Sequence, residues 1–142
     1  MQNINASFNN TTNTITDRQG NTLIINLTQH LSTAEQSAAG VLDFEGLQLA
    51  ALKKALTFKG IPSKEEMRLR ALLLAEMAKR TGAQKAMIGG APYFMSALEK
   101  ALKDAGIQPL YAFSIRESVE KTLPDGSIQK VNIFKHLGFV EV

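Results

Sequence analysis

The feature of this sequence that most restricts its fold is a regular alternation of short aliphatic runs with helix-like segments. The runs at residues 23–27, 85–88 and 109–113 have the length and composition of buried strands. The segments between them carry helix start signals, such as the breaker followed by a Ser–Glu pair at residues 62–66. Strands that alternate with helices predict right-handed crossovers. We therefore expect an α/β fold, with a Rossmann-like, mainly parallel sheet flanked by helices.

The beginning of the chain departs from this alternation. Residues 1–21 contain six Asn and four Thr, which favour turns and extended chain. We interpret them as a flexible extension with a possible hairpin, in which residues 14–16 and 22–25 flank a turn at residues 17–20. Residues 22–142 are then expected to form a single α/β domain.

The end of the chain predicts a second exception. A Pro-Asp-Gly-Ser sequence at residues 124–127 is typical of a tight turn between two strands. We expect a C-terminal β-hairpin formed by residues 118–123 and 128–134. Residues 138–142 are expected to add a last edge strand.

Composition excludes several kinds of site. The chain has no cysteine and two histidines, so a disulfide scaffold, a thiolate or three-histidine metal site and a cysteine nucleophile are excluded. We expect no metal and no cofactor. The net charge of +3 without a dense basic stripe argues against duplex nucleic acid and favours one small anionic ligand or no particular ligand. No signal peptide and no long apolar run are visible, which predicts a cytoplasmic protein without a membrane partner.

Ligands of open α/β sheets bind outside the carboxyl ends of the strands, so the residues that follow each predicted strand are the candidates. Asn26, Thr28, Gln29 and His30 follow the first strand and offer amide, hydroxyl and imidazole groups. We interpret them as a ligand-binding rim. The alternative is a polar loop before a helix that Ser32 caps, and for His30 alone a structural role.

A glycine pair follows the second strand. Gly89, Gly90 and Ala91 precede a helix that starts near Pro92, and such a loop presents backbone N–H groups to phosphate. The alternative is an ordinary tight turn. Tyr93 and Tyr111 lie near the predicted ligand edge, and either could stack on a base, although a role in the core or at an interface is favoured.

The third candidate segment follows the strand at residues 109–113. Ser114, Arg116 and Ser118 point to one side if the chain is extended. The guanidinium could bind a phosphate with two hydrogen bonds, and the hydroxyls would add donors. The alternative is a solvated arginine paired with a neighbouring glutamate.

Together these segments resemble the small stand-alone ring nucleases of the CARF type, which are CRISPR-associated proteins. The resemblance extends over residues 22–142. It is carried by the His-x-x-Thr-x-Glu-Gln opening, by a tyrosine–alanine strand that runs into the arginine segment, and by an aspartate–glycine hairpin with Phe-x-His. These motifs stand at residues 30–36, 109–120, 124–127 and 134–136.

The resemblance implies a homodimer that binds a cyclic oligoadenylate, with cyclic tetra-adenylate favoured, across a two-fold axis. It implies metal-independent cleavage by a ribose 2′-hydroxyl, which ends type III CRISPR or related antiviral signalling. Carried over by position, Ser114, Arg116 and His30 would be catalytic, and Thr28 and the glycine pair would line the phosphates. A prophage-encoded counter-defence version, a non-catalytic nucleotide sponge and an accessory protein without a nucleotide ligand stay open as alternatives.

Overall fold

A computed structural model describes residues 23–142 and the backbone of two short strands before them. These strands, β1 (Ser7–Asn9) and β2 (Thr14–Thr16), pair antiparallel with each other. The predicted pairing of residues 14–16 with residues 22–25 is therefore wrong, because Ile24 and Ile25 pair with strands of the central sheet. The predicted turn at residues 17–20 and the predicted flexibility of residues 1–21 lie outside the described residues.

The central sheet has five strands in the order β4-β3-β5-β6-β7. They are β3 (Ile24–Leu27), β4 (Val41–Leu42), β5 (Lys85–Ile88), β6 (Gln108–Thr122) and β7 (Ile128–Glu141). The first three pairings are parallel and the last is antiparallel. The predicted α/β class is confirmed. The sheet is mixed rather than mainly parallel, because the ladder between β6 and β7 is longer than any of the parallel ladders.

Within residues 23–142, four helices connect the strands. They are α1 (Ala34–Ala38), α2 (Gly46–Leu56), α3 (Lys64–Arg80) and α4 (Pro92–Asp104). The predicted start of α3 is confirmed, because the Ser63 side chain accepts a hydrogen bond from the N–H of Glu66 at 3.0 Å. Helix α1 is capped by Thr33 and Gln36 rather than by Ser32, whose hydroxyl instead binds a buried carboxylate.

The main core lies where the helices cover one face of the sheet. Leu27, Leu74, Phe94, Leu98 and Leu102 are fully buried there. This burial fixes the strands that end beside α1 and α4, and so fixes the positions of the loops that follow them. Among the described residues no helix is long and apolar enough to cross a membrane.

Strands β6 and β7 extend well beyond the rest of the sheet. β6 pairs with β5 only over its first three residues, whereas its ladder with β7 continues to Thr122. We call residues 112–122 and 128–139 the ribbon. The predicted separate strands merge here, because the tight turn at residues 124–127 lets one continuous ladder satisfy the backbone of both segments. Leu137 is the additional residue of a β-bulge, since Phe113 pairs with Gly138 and Ser114 with His136.

Candidate functional site

A cleft of about 610 Å³ lies at the carboxyl ends of β3 and β5, beside the part of β6 that follows its pairing with β5. Its position agrees with the rule that placed the candidate residues after the strands. The lining includes five of the predicted site residues, and α1 adds side chains that the prediction did not name. The lining residues are Thr28, Gln29, His30, Leu31, Thr33, Gln36, Met87, Ile88, Gly89, Gly90, Tyr111 and Ala112.

Asn26 lies beneath the cleft and does not line it. The buried side chain uses its amide nitrogen to donate to the carbonyl of His30 and to Oδ1 of Asp43, each at 2.8 Å. Its oxygen accepts hydrogen bonds from the backbone N–H and the hydroxyl of Thr28, at 2.8 and 2.7 Å. With both ends of the amide occupied, Asn26 shapes the loop that borders the cleft rather than contacting a ligand.

Asp43 is a buried residue that sequence reasoning missed. Besides the Asn26 amide, its carboxylate accepts hydrogen bonds from the backbone N–H and the hydroxyl of Ser32. The carboxylate therefore ties the two ends of the loop that carries Thr28 and His30. The signal was available, because Asp43 directly follows β4 as the candidate residues follow the other strands.

The three predicted side chains of the first loop differ in how free they are. Gln29 donates through Nε2 to the carbonyl of Leu56 at 3.2 Å, so its amide attaches the loop to the end of α2. The Thr28 hydroxyl bonds to Asn26. The imidazole of His30 is exposed and makes no hydrogen bond to a described residue. Of the three, His30 has the side chain most available to a ligand.

The glycine pair forms the opposite wall of the cleft. A Cβ on Gly89 would lie 3.5 Å from Cγ2 of Thr28, so a side chain here would fill the space between the two walls. Gly90 has φ +150°, a conformation that L residues rarely adopt. Two other predicted residues do not line the cleft. Ala91 packs against the core, and Tyr93 packs edge-on against Phe58 in a separate groove.

Tyr111 lines the cleft from β6. Its hydroxyl donates to Oε2 of Glu99 on α4 at 2.9 Å. Burial, followed by this hydrogen bond to a carboxylate, raises the pKa of Tyr111 to about 12. The phenol is therefore neutral at physiological pH, and it fixes β6 against α4 at the edge of the cleft.

The third predicted segment lies on the ribbon. Ser114, Arg116 and Ser118 share one face of it, as predicted, but none of them lines the cleft. Ala112 lies on the same side of β6 and does line the cleft, so this face begins at the rim and reaches Arg116 about 13 Å farther along the strand. We call it the polar face. Glu120 and Thr122 lie farther along it on β6, and its members on β7 are Ile128, Lys130, Asn132, Phe134 and His136.

Arg116 is exposed on the polar face. Its guanidinium carbon lies 5.5 Å from the centre of the Phe134 ring. The predicted alternative, an ion pair with Glu117 or Glu120, is absent from the part of the chain that the structure describes. The guanidinium therefore keeps its hydrogen-bond donors free for an external anion.

His136 is a second residue that sequence reasoning left without a role. It pairs across the ribbon with Ser114, and its ring packs edge-on against Phe139 at 4.9 Å. Both ring nitrogens are buried and have no hydrogen-bond partner within the described range. An imidazole in this state retains donor and acceptor capacity beside the rim of the cleft. The Phe-x-His spacing was the signal that could have identified it.

The charges of the site are divided between its two parts. No Lys, Arg, Asp or Glu is among the described residues that line the cleft. Arg116 stands on the adjoining polar face. Nowhere in residues 23–142 do three His, Asp or Glu side chains come together as a metal-ion site. The arrangement offers an anion neutral donors in the cleft and a cation farther along the adjoining polar face.

Comparison with known proteins identifies a family but no activity. A family model described as the uncharacterized protein MJ1673 family matches residues 22–140, which include the α/β body and the ribbon. No curated protein matches the chain. No solved structure matches it.

Proposed function

This chain belongs to the uncharacterized MJ1673 family, and we propose that it binds and cleaves a cyclic oligoadenylate messenger, with cyclic tetra-adenylate as the favoured ligand. The proposal includes a Rossmann-like fold of the CARF type and a homodimer in the cytoplasm. Its biological effect would be to end type III CRISPR or related antiviral signalling.

One observation carries the proposal. The cleft at the strand ends holds hydroxyl, amide and imidazole groups and a glycine pair, with no carboxylate among its described lining residues, and it opens onto the face that carries Arg116. A phosphate is attracted by such groups and is not repelled by negative charge. Leu31, which lines the cleft and is 64% exposed, provides apolar surface for a base.

The size of the cleft favours a shared ligand. At about 610 Å³ it has the volume of an ordinary small-molecule pocket. A ring of four nucleotides is larger than one such ligand. We propose that two copies of the chain each hold half of the ring, which is the reason for including a homodimer.

The proposed reaction uses the ligand's own nucleophile. The ribose 2′-oxygen attacks the neighbouring phosphorus, the bond from phosphorus to the 5′-oxygen breaks, and the products end in a 2′,3′-cyclic phosphate and a 5′-hydroxyl. The proton of the 2′-hydroxyl ends on the departing 5′-oxygen. We assign His30 to this proton transfer, and Arg116 with Ser114 to the charge on the phosphate.

Incubation of the purified protein with cyclic tetra-adenylate in EDTA tests the proposal. We expect linear products with 2′,3′-cyclic phosphate ends in mass spectrometry, and slower cleavage by the His30→Gln variant. A matched control is Gln48→Glu on the exposed surface of α2, which should cleave at the wild-type rate. Intact ligand that co-elutes with the protein would contradict the enzyme activity and would support a nucleotide sponge. Absence of both binding and cleavage would overturn the proposal and favour an accessory protein.

A further inference from the structure

A second groove lies where the end of α2 and the loop to α3 meet the start of α4. It consists of two adjoining cavities of about 600 and 470 Å³, which share residues 58–61 of that loop. It is the groove in which Tyr93 packs edge-on against Phe58. None of its described lining residues also lines the cleft. The second groove is therefore a site to which the proposed function assigns no role.

Arg70 fixes the shape of the second groove. Its guanidinium donates hydrogen bonds to the carbonyl of Thr57 at 2.6 Å and to Oε1 of Glu66 at 2.7 Å. Its central carbon lies 4.4 Å from the centre of the Phe58 ring, which also packs edge-on against the buried Phe94. The loop between α2 and α3 is thus held against the core, and the groove is formed before any ligand arrives.

The larger cavity carries positive charge that the protein itself does not neutralise. Lys53, Lys54 and Lys59 line it, and none of them forms an ion pair with a described residue. Glu66 lines it too, but its carboxylate is paired with Arg70. The dipole of α2 favours cations in its last turn, which accounts for Lys53 and Lys54. Lys59 lies beyond the helix, so its position needs another reason.

The smaller cavity is apolar. Its lining includes Ile61, Pro62, Met67 and Tyr93. Ile61 is fully exposed and Tyr93 is 57% exposed, so both present apolar surface to solvent beside the lysines. Exposed apolar surface that is bordered by charged residues is typical of a protein–protein contact. The second groove thus combines a contact surface for an apolar side chain with unpaired positive charge.

We infer that the second groove binds an acidic peptide segment of another protein. An aliphatic side chain of the segment enters the smaller cavity, and Asp or Glu carboxylates next to it meet Lys53, Lys54 and Lys59. The charges are complementary, and burial of the aliphatic side chain adds affinity. The ammonium groups suit single carboxylates, whereas the fork of Arg70, the group best suited to phosphate, is occupied by Thr57 and Glu66.

The same groove is poorly suited to single-stranded nucleic acid, a polyanion that lysines also attract. Successive bases of a single strand stack on the faces of aromatic side chains. The guanidinium of Arg70 already covers a face of Phe58, and Ile61 and Met67 are not aromatic. Tyr93 offers a surface for one base. The mixture of aliphatic surface and lysines therefore favours a peptide.

The inference goes beyond the proposed function and does not depend on it. Gln29 of the cleft donates to the carbonyl of Leu56 at the end of α2, so the two sites adjoin without sharing a described lining residue. A peptide in the second groove leaves the cleft open to its own ligand, and each site can be tested while the other is empty.

Selection from a phage-displayed library of random peptides on the immobilised protein tests the inference. We expect the selected peptides to carry Asp or Glu next to Leu, Ile or Val. A synthetic peptide of the selected sequence then measures affinity by fluorescence anisotropy. Lys53→Glu/Lys59→Glu should weaken its binding by at least about tenfold, because attraction becomes repulsion. The control, Lys79→Glu/Lys103→Glu, has the same net charge and changes exposed lysines at the ends of α3 and α4, so it should bind as the wild type does.

A second pair of variants tests the apolar contact without disturbing the core. Ile61→Ser should weaken binding of the peptide by about fivefold or more, because the fully exposed side chain loses its contact with the peptide and no internal one. Leu47→Ser is the control, at a side chain of α2 that is 90% exposed and does not line the groove. Thermal unfolding should be the same for both variants and the wild type.

A selection that yields no peptide sensitive to the lysine variant would overturn the inference, and so would selection of basic or neutral peptides. Binding of oligothymidylate or of phosphatidylglycerol vesicles that is lost in Lys53→Glu/Lys59→Glu, without binding of a peptide, would also overturn it, because the occupant is then a nucleic acid or a membrane. A peptide that binds through Lys59 and Ile61, with no binding or cleavage of cyclic tetra-adenylate, supports the inference and overturns the proposed function alone.

Discussion

The cleft and the ribbon belong to one sheet, but their side chains differ in burial and in hydrogen bonding. Around the cleft, side chains such as Asn26 and Asp43 are buried and joined by internal hydrogen bonds. On the ribbon, Arg116 and Ile133 are exposed and find few partners within the described chain. Internal hydrogen bonds therefore fix the shape of the cleft, whereas the ribbon exposes side chains to a ligand or to another protein. Substitutions should affect stability at the first and association or ligand binding at the second.

The largest effect is expected from Asn26→Ala. The variant removes four hydrogen bonds and leaves the Asp43 carboxylate without one of its donors in a buried position. The free energy of unfolding should fall by about 3 kcal/mol. Urea unfolding measures it. The matched control is Asn132→Ala on the ribbon, which should change stability by less than about 0.5 kcal/mol. Equal losses of stability in both variants would contradict the difference between the cleft and the ribbon.

Arg116→Ala should show the reverse pattern. We expect the dissociation constant for cyclic tetra-adenylate to rise by about 10- to 100-fold, because a charge-assisted hydrogen bond contributes about 1.5–3 kcal/mol. Stability should change little, since the contact with the Phe134 ring is exposed. Calorimetric titration measures the affinity, with Arg68→Ala on α3 as the control. Unchanged affinity in Arg116→Ala would show that the polar face is not part of the binding site.

The two adjacent glycines offer a comparison within the wall of the cleft. Gly90→Ala should destabilise the protein by about 1–2 kcal/mol, because a side chain is strained at φ +150°. Gly89→Ala meets Thr28 at an ordinary contact distance of 3.5 Å and should leave stability nearly unchanged. Thermal unfolding of the two variants measures both changes in stability. A larger loss for Gly89→Ala would mean that space, not backbone conformation, requires the glycine pair.

The last prediction concerns Tyr111, whose effect is absent at neutral pH and appears only at alkaline pH. The unfolded chain loses the phenol proton near pH 10.0, and the folded chain retains it to a pKa of about 12. Between these values the folded state binds more protons, so this residue makes stability fall as pH rises. Urea unfolding should show that Tyr111→Phe loses less stability over this range than the wild type. If both lose the same amount, burial at the cleft edge does not hold the proton.

The strand-end rule predicted the cleft because it depends only on the direction of the strands. It correctly placed Thr28, His30 and the glycine pair along its walls. It could not show that Asn26 faces inward, because whether a polar side chain is buried depends on its partner. That partner, Asp43, is 17 positions away in the sequence. Local sequence carries no information about such a pairing.

The length of the ribbon was not predictable in the same way. Residues 113–120 alternate between apolar and polar types except at Glu117, a pattern typical of a strand with one covered face. The pattern indicates neither what covers that face nor how far the ladder continues. The break expected after residue 113 is absent because β7 follows β6 along its entire length, with the bulge at Leu137 absorbing the change of register. Arg116 consequently lies beyond the cleft wall.

Titration of the ¹⁵N-labelled protein with cyclic tetra-adenylate, followed by amide chemical shifts, tests the central claim most directly. We predict that the shifted amides cluster at Thr28–His30, at Gly89 and Gly90, and along the polar face at Ser114 and Arg116, because these groups form one continuous surface. Shifts confined to the groove of Phe58 and Tyr93, or no shifts at all, would contradict the account of the site.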